Sequence, residues 1–94
     1  MKKSIDGKVY NTDTMVSLVS MPAYNNNTYA GETWIGRTKN GAYAVVTESN
    51  GQDCHRHSDI RAIDKESIAT EINGWKLTEN EVALLIAEGI LVEA

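Results

Sequence analysis

Aromatic and β-branched side chains, the types that fit a pleated and half-buried surface, are concentrated in residues 29–50 on both sides of Asn40 and Gly41. These two residues tolerate the positive φ of a tight turn. The pattern predicts a β-hairpin at the centre of the chain. The three asparagines before it, at 25–27, are expected to form a polar loop.

The register of this central hairpin depends on the length of its turn. A two-residue turn would set Ile35 opposite Val46. A three-residue turn with Gly41 in the left-handed conformation would instead set Trp34 opposite Val46 and Ile35 opposite Val45. The sequence leaves both registers open.

Two further elements are predicted before the central hairpin. Strands at 2–5 and 8–10 flank the turn-forming pair Asp6-Gly7 and indicate a short hairpin. Apolar residues at helical spacing then predict a helix that is capped within residues 11–13 and ended by Pro22.

Three elements are predicted after the central hairpin. They are a strand at Asp59–Ile63, a helix at 65–72 capped by Asp64, and a helix that begins at Thr78. The last start fits a capping box, in which the Thr78 hydroxyl accepts from the Glu81 amide and the Glu81 carboxylate accepts from the Thr78 amide.

The last helix, which Gly89 ends, is apolar around most of its surface, and residues 90–92 extend this apolar segment. We expect residues 90–92 to dock on the sheet as a strand. The alternative is that residues 82–92 form the contact of a homodimer or of another partner.

Together these elements predict one α+β domain spanning residues 1–94. It has a small antiparallel sheet, built on the central hairpin, with two or three short helices packed on one face. A chain of 94 residues can bury one modest core but is too short for a deep cleft between two lobes.

The formal charge is −4 and is unevenly distributed: residues 1–47 hold five basic and three acidic side chains, and residues 48–94 hold four basic and ten acidic ones. An acidic surface opposes binding to nucleic-acid phosphates and favours a basic protein partner. The residues expected to contact this partner are four acids and two aromatic anchors: Asp53, Asp59, Glu66, Glu71, Tyr24 and Tyr29.

Residue types that bind metals are concentrated between Cys54 and Asp59. On a strand, His55, His57 and Asp59 would project from one face and could hold a metal ion with a position open for water. Cys54 and His55 would point to opposite faces, which argues against a thiolate and its base. We expect no catalytic residue, metal or cofactor, and a metal-binding protein or small metalloenzyme is the alternative.

A nucleic-acid-binding regulator is the second alternative. The two helices within 65–89 could form a helix-turn-helix, but the second carries three glutamates and no basic residue, so it would repel phosphates. A small basic and aromatic patch could also form on the sheet from Lys8, Arg37, Lys39, Trp34 and Tyr43. We expect no direct contact with nucleic acid.

The single cysteine, Cys54, cannot close an intramolecular disulfide, and no apolar run follows the first residues as it would in a signal peptide. The longest apolar run, residues 82–87, is far shorter than the roughly 20 residues of a membrane span. A cytoplasmic protein without membrane contact is expected.

Three blocks of sequence carry a family resemblance: Gly7-Lys8-Val9-Tyr10-Asn11-Thr12-Asp13-Thr14, Glu32-Thr33-Trp34-Ile35 with Arg37-Thr38-Lys39-Asn40-Gly41-Ala42-Tyr43, and Leu77-Thr78-Glu79-Asn80-Glu81. In these blocks the chain resembles small uncharacterised proteins of phages, plasmids and conjugative elements, a group that includes some anti-CRISPR inhibitors. It departs from them at Ile35, where an aromatic residue is usual. The resemblance implies a non-enzymatic accessory protein that blocks a host protein complex, most concretely a CRISPR-Cas effector, and supplies no catalytic residues.

Overall fold

The strand-forming segments of the sequence build two antiparallel sheets in the computed structural model, which describes residues 1–94. The strands are β1 (Lys2–Ile5), β2 (Lys8–Asn11), β3 (Val16–Asn25), β4 (Thr28–Arg37), β5 (Tyr43–Ser49) and β6 (Asp59–Ile63). The helices are α1 (Lys65–Glu71) and α2 (Glu79–Ala87), and a 3-10 turn covers Thr12–Thr14.

Strands β3, β4, β5 and β6 follow one another in a four-stranded sheet, while β1 and β2 form a separate hairpin. The predicted α+β class with a small antiparallel sheet is therefore confirmed. The predicted strand at Asp59–Ile63 and both predicted helices after it are present. Asp64 precedes α1, but its side chain does not make the predicted capping hydrogen bond.

The central hairpin adopts the register of the three-residue turn. Trp34 lies opposite Val46 and Ile35 lies opposite Val45. The Thr38 amide donates to the Ala42 carbonyl at 2.7 Å, and Gly41 has a φ of 87°. The left-handed glycine lets the turn close with one residue more than the tightest hairpins contain.

The predicted helix, capped within residues 11–13 and ended by Pro22, is wrong, because most of this segment forms β3. The register with β4 shifts between Ser17 and Val19. Leu18 and Val19 are therefore both buried on the same side, whereas neighbours on a regular strand point to opposite faces. Two adjacent inward residues imitate the spacing of a helix.

Pro22 ends no helix and lies within β3, opposite Glu32. Strand β3 is an edge of the sheet, where a residue without an amide hydrogen is tolerated. The predicted asparagine loop is shorter than expected: Asn25 closes β3, and only Asn26 and Asn27, with φ of 51° and 66°, form the turn to β4. Positive φ at both positions is typical of a tight hairpin turn.

Side chains along β4 and β5 point alternately to the two faces of the sheet, and each face has its own hydrophobic core. On one face, sheet residues such as Ile35 and Val45 pack against Ile68, Ile72 and Leu85 of the helical segment. On the other face, Tyr10 of the small hairpin packs with Ala44, Val46 and Ile60. The prediction that the helices pack on one face is confirmed, and the β1–β2 hairpin covers the other.

Charged side chains close both edges of the four-stranded sheet. On β3, the Ser20 amide donates to Glu81 at 2.8 Å. The same carboxylate accepts from the Thr78 amide at 2.9 Å, which completes the predicted capping box. On β6, the Lys3 ammonium donates to the Ile60 carbonyl at 3.0 Å. Edges occupied in this way are poor templates for pairing with another strand.

The predicted strand at 90–92 is wrong. After Gly89 the chain turns back, and the Ile90 and Leu91 amides both donate to the Leu85 carbonyl of α2. Ile90 and Leu91 pack against the helix-side core, while Val92 is 89% exposed. The Leu85 carbonyl holds these residues against the end of α2, so they cannot extend along a sheet edge.

Candidate protein-binding site

The turn between β3 and β4 brings two predicted partner-binding residues together. Tyr24 and Tyr29 lie directly opposite each other, with ring centroids 6.1 Å apart and ring planes at 74°. They are 64% and 44% exposed. Such an edge-to-face pair holds two large rings in a fixed orientation toward solvent, which suits them to anchor a partner.

Two glutamates lie beside this tyrosine pair. Glu32 of β4 and Glu48 of β5 are directly opposite in the register, so their side chains share a face of the sheet. Neither carboxylate belongs to any ion pair of the chain. Like charges placed opposite each other in this way repel.

Aromatic side chains hold both carboxylates in place. The Tyr29 hydroxyl donates to Glu32 at 3.2 Å, and the Trp34 indole N–H donates to Glu48. Trp34 lies two residues from Glu32 along β4 and packs against the core that contains Tyr10. The cluster therefore lies on the face of the sheet that the β1–β2 hairpin covers. We call Tyr24, Tyr29, Glu32, Trp34 and Glu48 the acidic aromatic patch.

The electrostatic field of the patch is negative. The pKa of Tyr29 is raised, first by loss of solvent around its hydroxyl, then by its hydrogen bond to Glu32 and by the charges of Glu32 and Glu48. The hydroxyl therefore stays protonated and continues to donate at physiological pH. Each carboxylate of the patch accepts from a neutral aromatic donor, and the nearby Arg56 guanidinium donates to the Glu48 backbone carbonyl and not to its carboxylate.

The four acids predicted to bind a partner do not join this patch. Asp59 pairs with Lys3 at 2.7 Å, and Glu71 pairs with Arg61 at 3.1 Å. The hydrogen bond from Lys3 lowers the pKa of Asp59. The charges of Asp59 and Glu71 are thus compensated within the chain.

The other two predicted acids differ from each other. Asp53 is partly buried and accepts a hydrogen bond from the His55 amide at 2.9 Å, so it stabilises its own loop. Glu66 is exposed on α1 and forms no ion pair. Of the predicted partner-binding residues, the structure brings together only Tyr24 and Tyr29.

Sequence reasoning missed Glu32 and Glu48, although a usable signal was present. The register with Trp34 opposite Val46, one of the two left open, also places Glu32 opposite Glu48 two residues further along. Side chains alternate between the two faces along each strand, and Glu32 lies two residues from Trp34. Once that register is chosen, Glu32, Glu48 and Trp34 must share a face.

The metal-binding alternative lacks the expected geometry. His55 and His57 are exposed in the connection before β6, which begins only at Asp59. They therefore do not alternate along a strand, and the Asp59 carboxylate binds Lys3. No group of three or more histidine, cysteine or acidic side chains is placed to hold a metal ion.

The structure assembles only part of the predicted basic and aromatic patch: Lys8 and Lys39 line one cavity, and Lys8 lines a neighbouring one with Tyr43. Arg37 donates to Glu88 at 2.6 Å, and the Tyr43 hydroxyl donates to the same carboxylate at 2.9 Å, both on the helix side. The hydrogen bond from Tyr43, and after it the one from Arg37, lowers the pKa of Glu88. The pKa of Tyr43 is raised, first by burial and then by its hydrogen bond to Glu88. Trp34 lies on the opposite face.

Helix α2 leaves Leu84 and Ile86 exposed, and Val92 is exposed beyond it. The homodimer contact within 82–92 stays a prediction that sedimentation can test.

Neither helix has the length and apolar character that crossing a bilayer requires. Comparisons of the chain with protein-family models, with curated proteins and with solved structures find no match.

Proposed function

We propose that this protein acts without catalysis, by docking its acidic aromatic patch on a basic surface of another protein. The observation that carries the proposal is the pair of glutamates, Glu32 and Glu48. They face each other without a cation, beside two exposed tyrosine rings.

The patch gains most from a partner that brings positive charge. A lysine or arginine placed between Glu32 and Glu48 would relieve their repulsion, which costs the free protein up to about 1 kcal/mol. The same cation could contact the face of Tyr24 or Tyr29, and such contacts contribute about 0.5–2 kcal/mol. Aromatic anchors beside a charged centre are typical of residues that dominate the free energy of an interface.

The concrete version of this proposal is an accessory protein of a mobile element that blocks a host complex in the bacterial cytoplasm. Complexes that hold nucleic acid, such as CRISPR-Cas effectors, have basic channels. An acidic aromatic patch can occupy such a channel in place of the nucleic acid. The sequence resemblance to a group that includes anti-CRISPR inhibitors supports this version.

Affinity capture from host lysate tests the docking surface. We expect the wild-type chain to retain a basic host protein and the double variant Glu32→Lys with Glu48→Lys to lose it. The control is Glu79→Lys with Glu93→Lys, which makes the same charge change at two exposed acids outside the patch. Equal retention by both double variants would exclude the patch as the docking surface.

Phage plating on bacteria with an active CRISPR system tests the anti-CRISPR version. Expression of the wild-type chain and of the control variant should restore plaques, and the patch variant should not. A wild-type chain that restores no plaques, although it captures a basic host protein, would exclude this version but keep the docking surface.

A further inference from the structure

A groove lies between the β1–β2 hairpin and the turn that joins β4 to β5. Its first part is a cavity of about 350 Å³, large enough for a small ligand. Lys8 and Lys39 line it together with asparagine and threonine side chains, and no acidic residue contributes to its wall. We propose that this groove binds a small phosphate monoester.

The two lysines bring uncompensated positive charge. The ion pairs of the chain use Lys3, Arg37 and Arg61, so neither Lys8 nor Lys39 is neutralised by a carboxylate. An ammonium group without an internal partner is free to bind a phosphate oxygen. Thr38 and Asn40 supply neutral polar groups in the same wall.

Tyr10 provides an independent indication of a ligand. The residue is only 6% exposed, yet its hydroxyl makes no hydrogen bond within the protein. No side-chain oxygen or nitrogen that is sealed from solvent lacks a partner, so this hydroxyl reaches solvent. Tyr10 lines both cavities of the groove, and its hydroxyl is the free donor that the proposal assigns to the ligand.

The second part of the groove explains why an organic phosphate fits better than the bare ion. A neighbouring cavity of about 570 Å³ shares Lys8, Tyr10 and Ala42 with the first, and most of its lining residues are hydrophobic. It can take an uncharged ring attached to the phosphate. Asp6 and Asp64 also line it and would repel a ligand whose ring carries a further anionic group.

Titration followed by ¹H–¹⁵N NMR tests this site with three probes: phenyl phosphate, inorganic phosphate and phenol. We expect phenyl phosphate to shift the amides of Lys8, Lys39 and Gly41 and to bind more tightly than inorganic phosphate. Phenol should shift none of them. The proposal is overturned if phenyl phosphate shifts no groove amide, or if a single-stranded oligonucleotide displaces it at lower concentration.

Substitutions that remove a proposed ligand-binding group but keep the fold test each group by its effect on phenyl phosphate affinity. Tyr10→Phe keeps the buried ring and should weaken phenyl phosphate binding at least about 10-fold, as expected for one lost hydrogen bond to a charged group. Lys8→Gln with Lys39→Gln should weaken it at least about 10-fold. The matched control is Lys2→Gln with Lys76→Gln, exposed lysines that do not line the groove.

Amide spectra confirm that each variant is folded before binding is compared. Wild-type affinity in Tyr10→Phe, or equal losses in the two lysine double variants, would overturn the assignment of the groove. Neither result depends on the acidic aromatic patch, which lies at the other end of the sheet.

Discussion

The two ends of the four-stranded sheet carry opposite charge. At the end with the β3–β4 turn, Glu32 and Glu48 lie unpaired beside exposed aromatic rings. At the end with the β4–β5 turn, Lys8 and Lys39 line a cavity without an acidic residue in its wall. The net charge of −4 describes neither end. Function follows the local arrangement of charge more closely than the total.

Internal ion pairs create this difference. Asp59, Glu71 and Glu88, which could have extended the negative surface, are each held by a lysine or arginine. Arg37, which could have joined the two lysines, is held by Glu88. Glu32 and Glu48 at one end of the sheet, and Lys8 and Lys39 at the other, stay outside these ion pairs.

The largest expected effect on stability comes from a substitution at Gly31, which lies at the acidic end of the sheet. Gly31 has a φ of 127°, and a side chain there would collide with the backbone carbonyl of Glu48. Gly31→Ala should lower the free energy of unfolding by about 3 kcal/mol, because neither backbone can move aside easily. Urea denaturation measures the loss, and amide shifts should concentrate around Glu48 and spare Lys39.

Gly51→Ala is the matched control, since Gly51 also has a positive φ but nothing lies within 4 Å of the added atom. It should cost about 1 kcal/mol from backbone strain alone. Equal losses in the two variants would show that the close approach of β4 to β5 does not hold the acidic end together.

The next effect concerns the scaffold that both ends share. Glu81→Ala removes the bonds to the Thr78 and Ser20 amides and should lower the free energy of unfolding by about 2 kcal/mol. Binding of a basic protein and of phenyl phosphate should both stay at the wild-type level at temperatures where the variant is folded. A selective loss at one end would mean that α2 takes part in that site.

A smaller effect depends on pH. Glu88→Gln weakens the bonds from Arg37 and Tyr43 and should cost about 1 kcal/mol at neutral pH. The pKa of Glu88 is lowered in the fold from its ordinary 4.5. Its contribution is therefore complete above pH 4.5 and is lost as the pH falls through the lowered value.

Thermal unfolding of the wild type and Glu88→Gln across this pH range checks the prediction. The difference in stability between the two should shrink on acidification. A difference that is the same at pH 7 and well below pH 4 would contradict the assignment of the ion pair to Glu88.

The smallest expected effect has opposite signs for stability and for binding. Glu48→Gln keeps an acceptor for the Trp34 indole but removes the repulsion with Glu32. Stability in urea should rise by a few tenths of a kcal/mol, while affinity for the basic partner falls. A variant that loses stability would show that the carboxylates do not repel each other.

Much of the fold follows from local pattern in the sequence. The turn at Gly41, the capping box at Thr78 and the strand at Asp59–Ile63 depend on neighbouring residues and were predicted. Strand β3 was not, because the bulge at Leu18 breaks the alternation that identifies a strand. Its pairing with β4, a non-local interaction, overrides the helical spacing.

The two candidate sites depend on contacts that local pattern does not contain. Pairing of Glu32 with Glu48 requires the correct choice between two registers. The groove requires the β1–β2 hairpin to cover the sheet so that Lys8 and Lys39, far apart in sequence, line one wall. No periodicity along the chain indicates where a separate hairpin will pack.

Parallel NMR titrations of one labelled sample with an oligo-arginine peptide and with phenyl phosphate test the central claim most directly. The peptide should shift the Trp34 indole and the amides of Glu32 and Glu48, and phenyl phosphate should shift the amides of Lys8 and Lys39. Shifts of the same residues by both ligands, or peptide shifts that persist in Glu32→Lys with Glu48→Lys, would contradict the account of two oppositely charged binding ends.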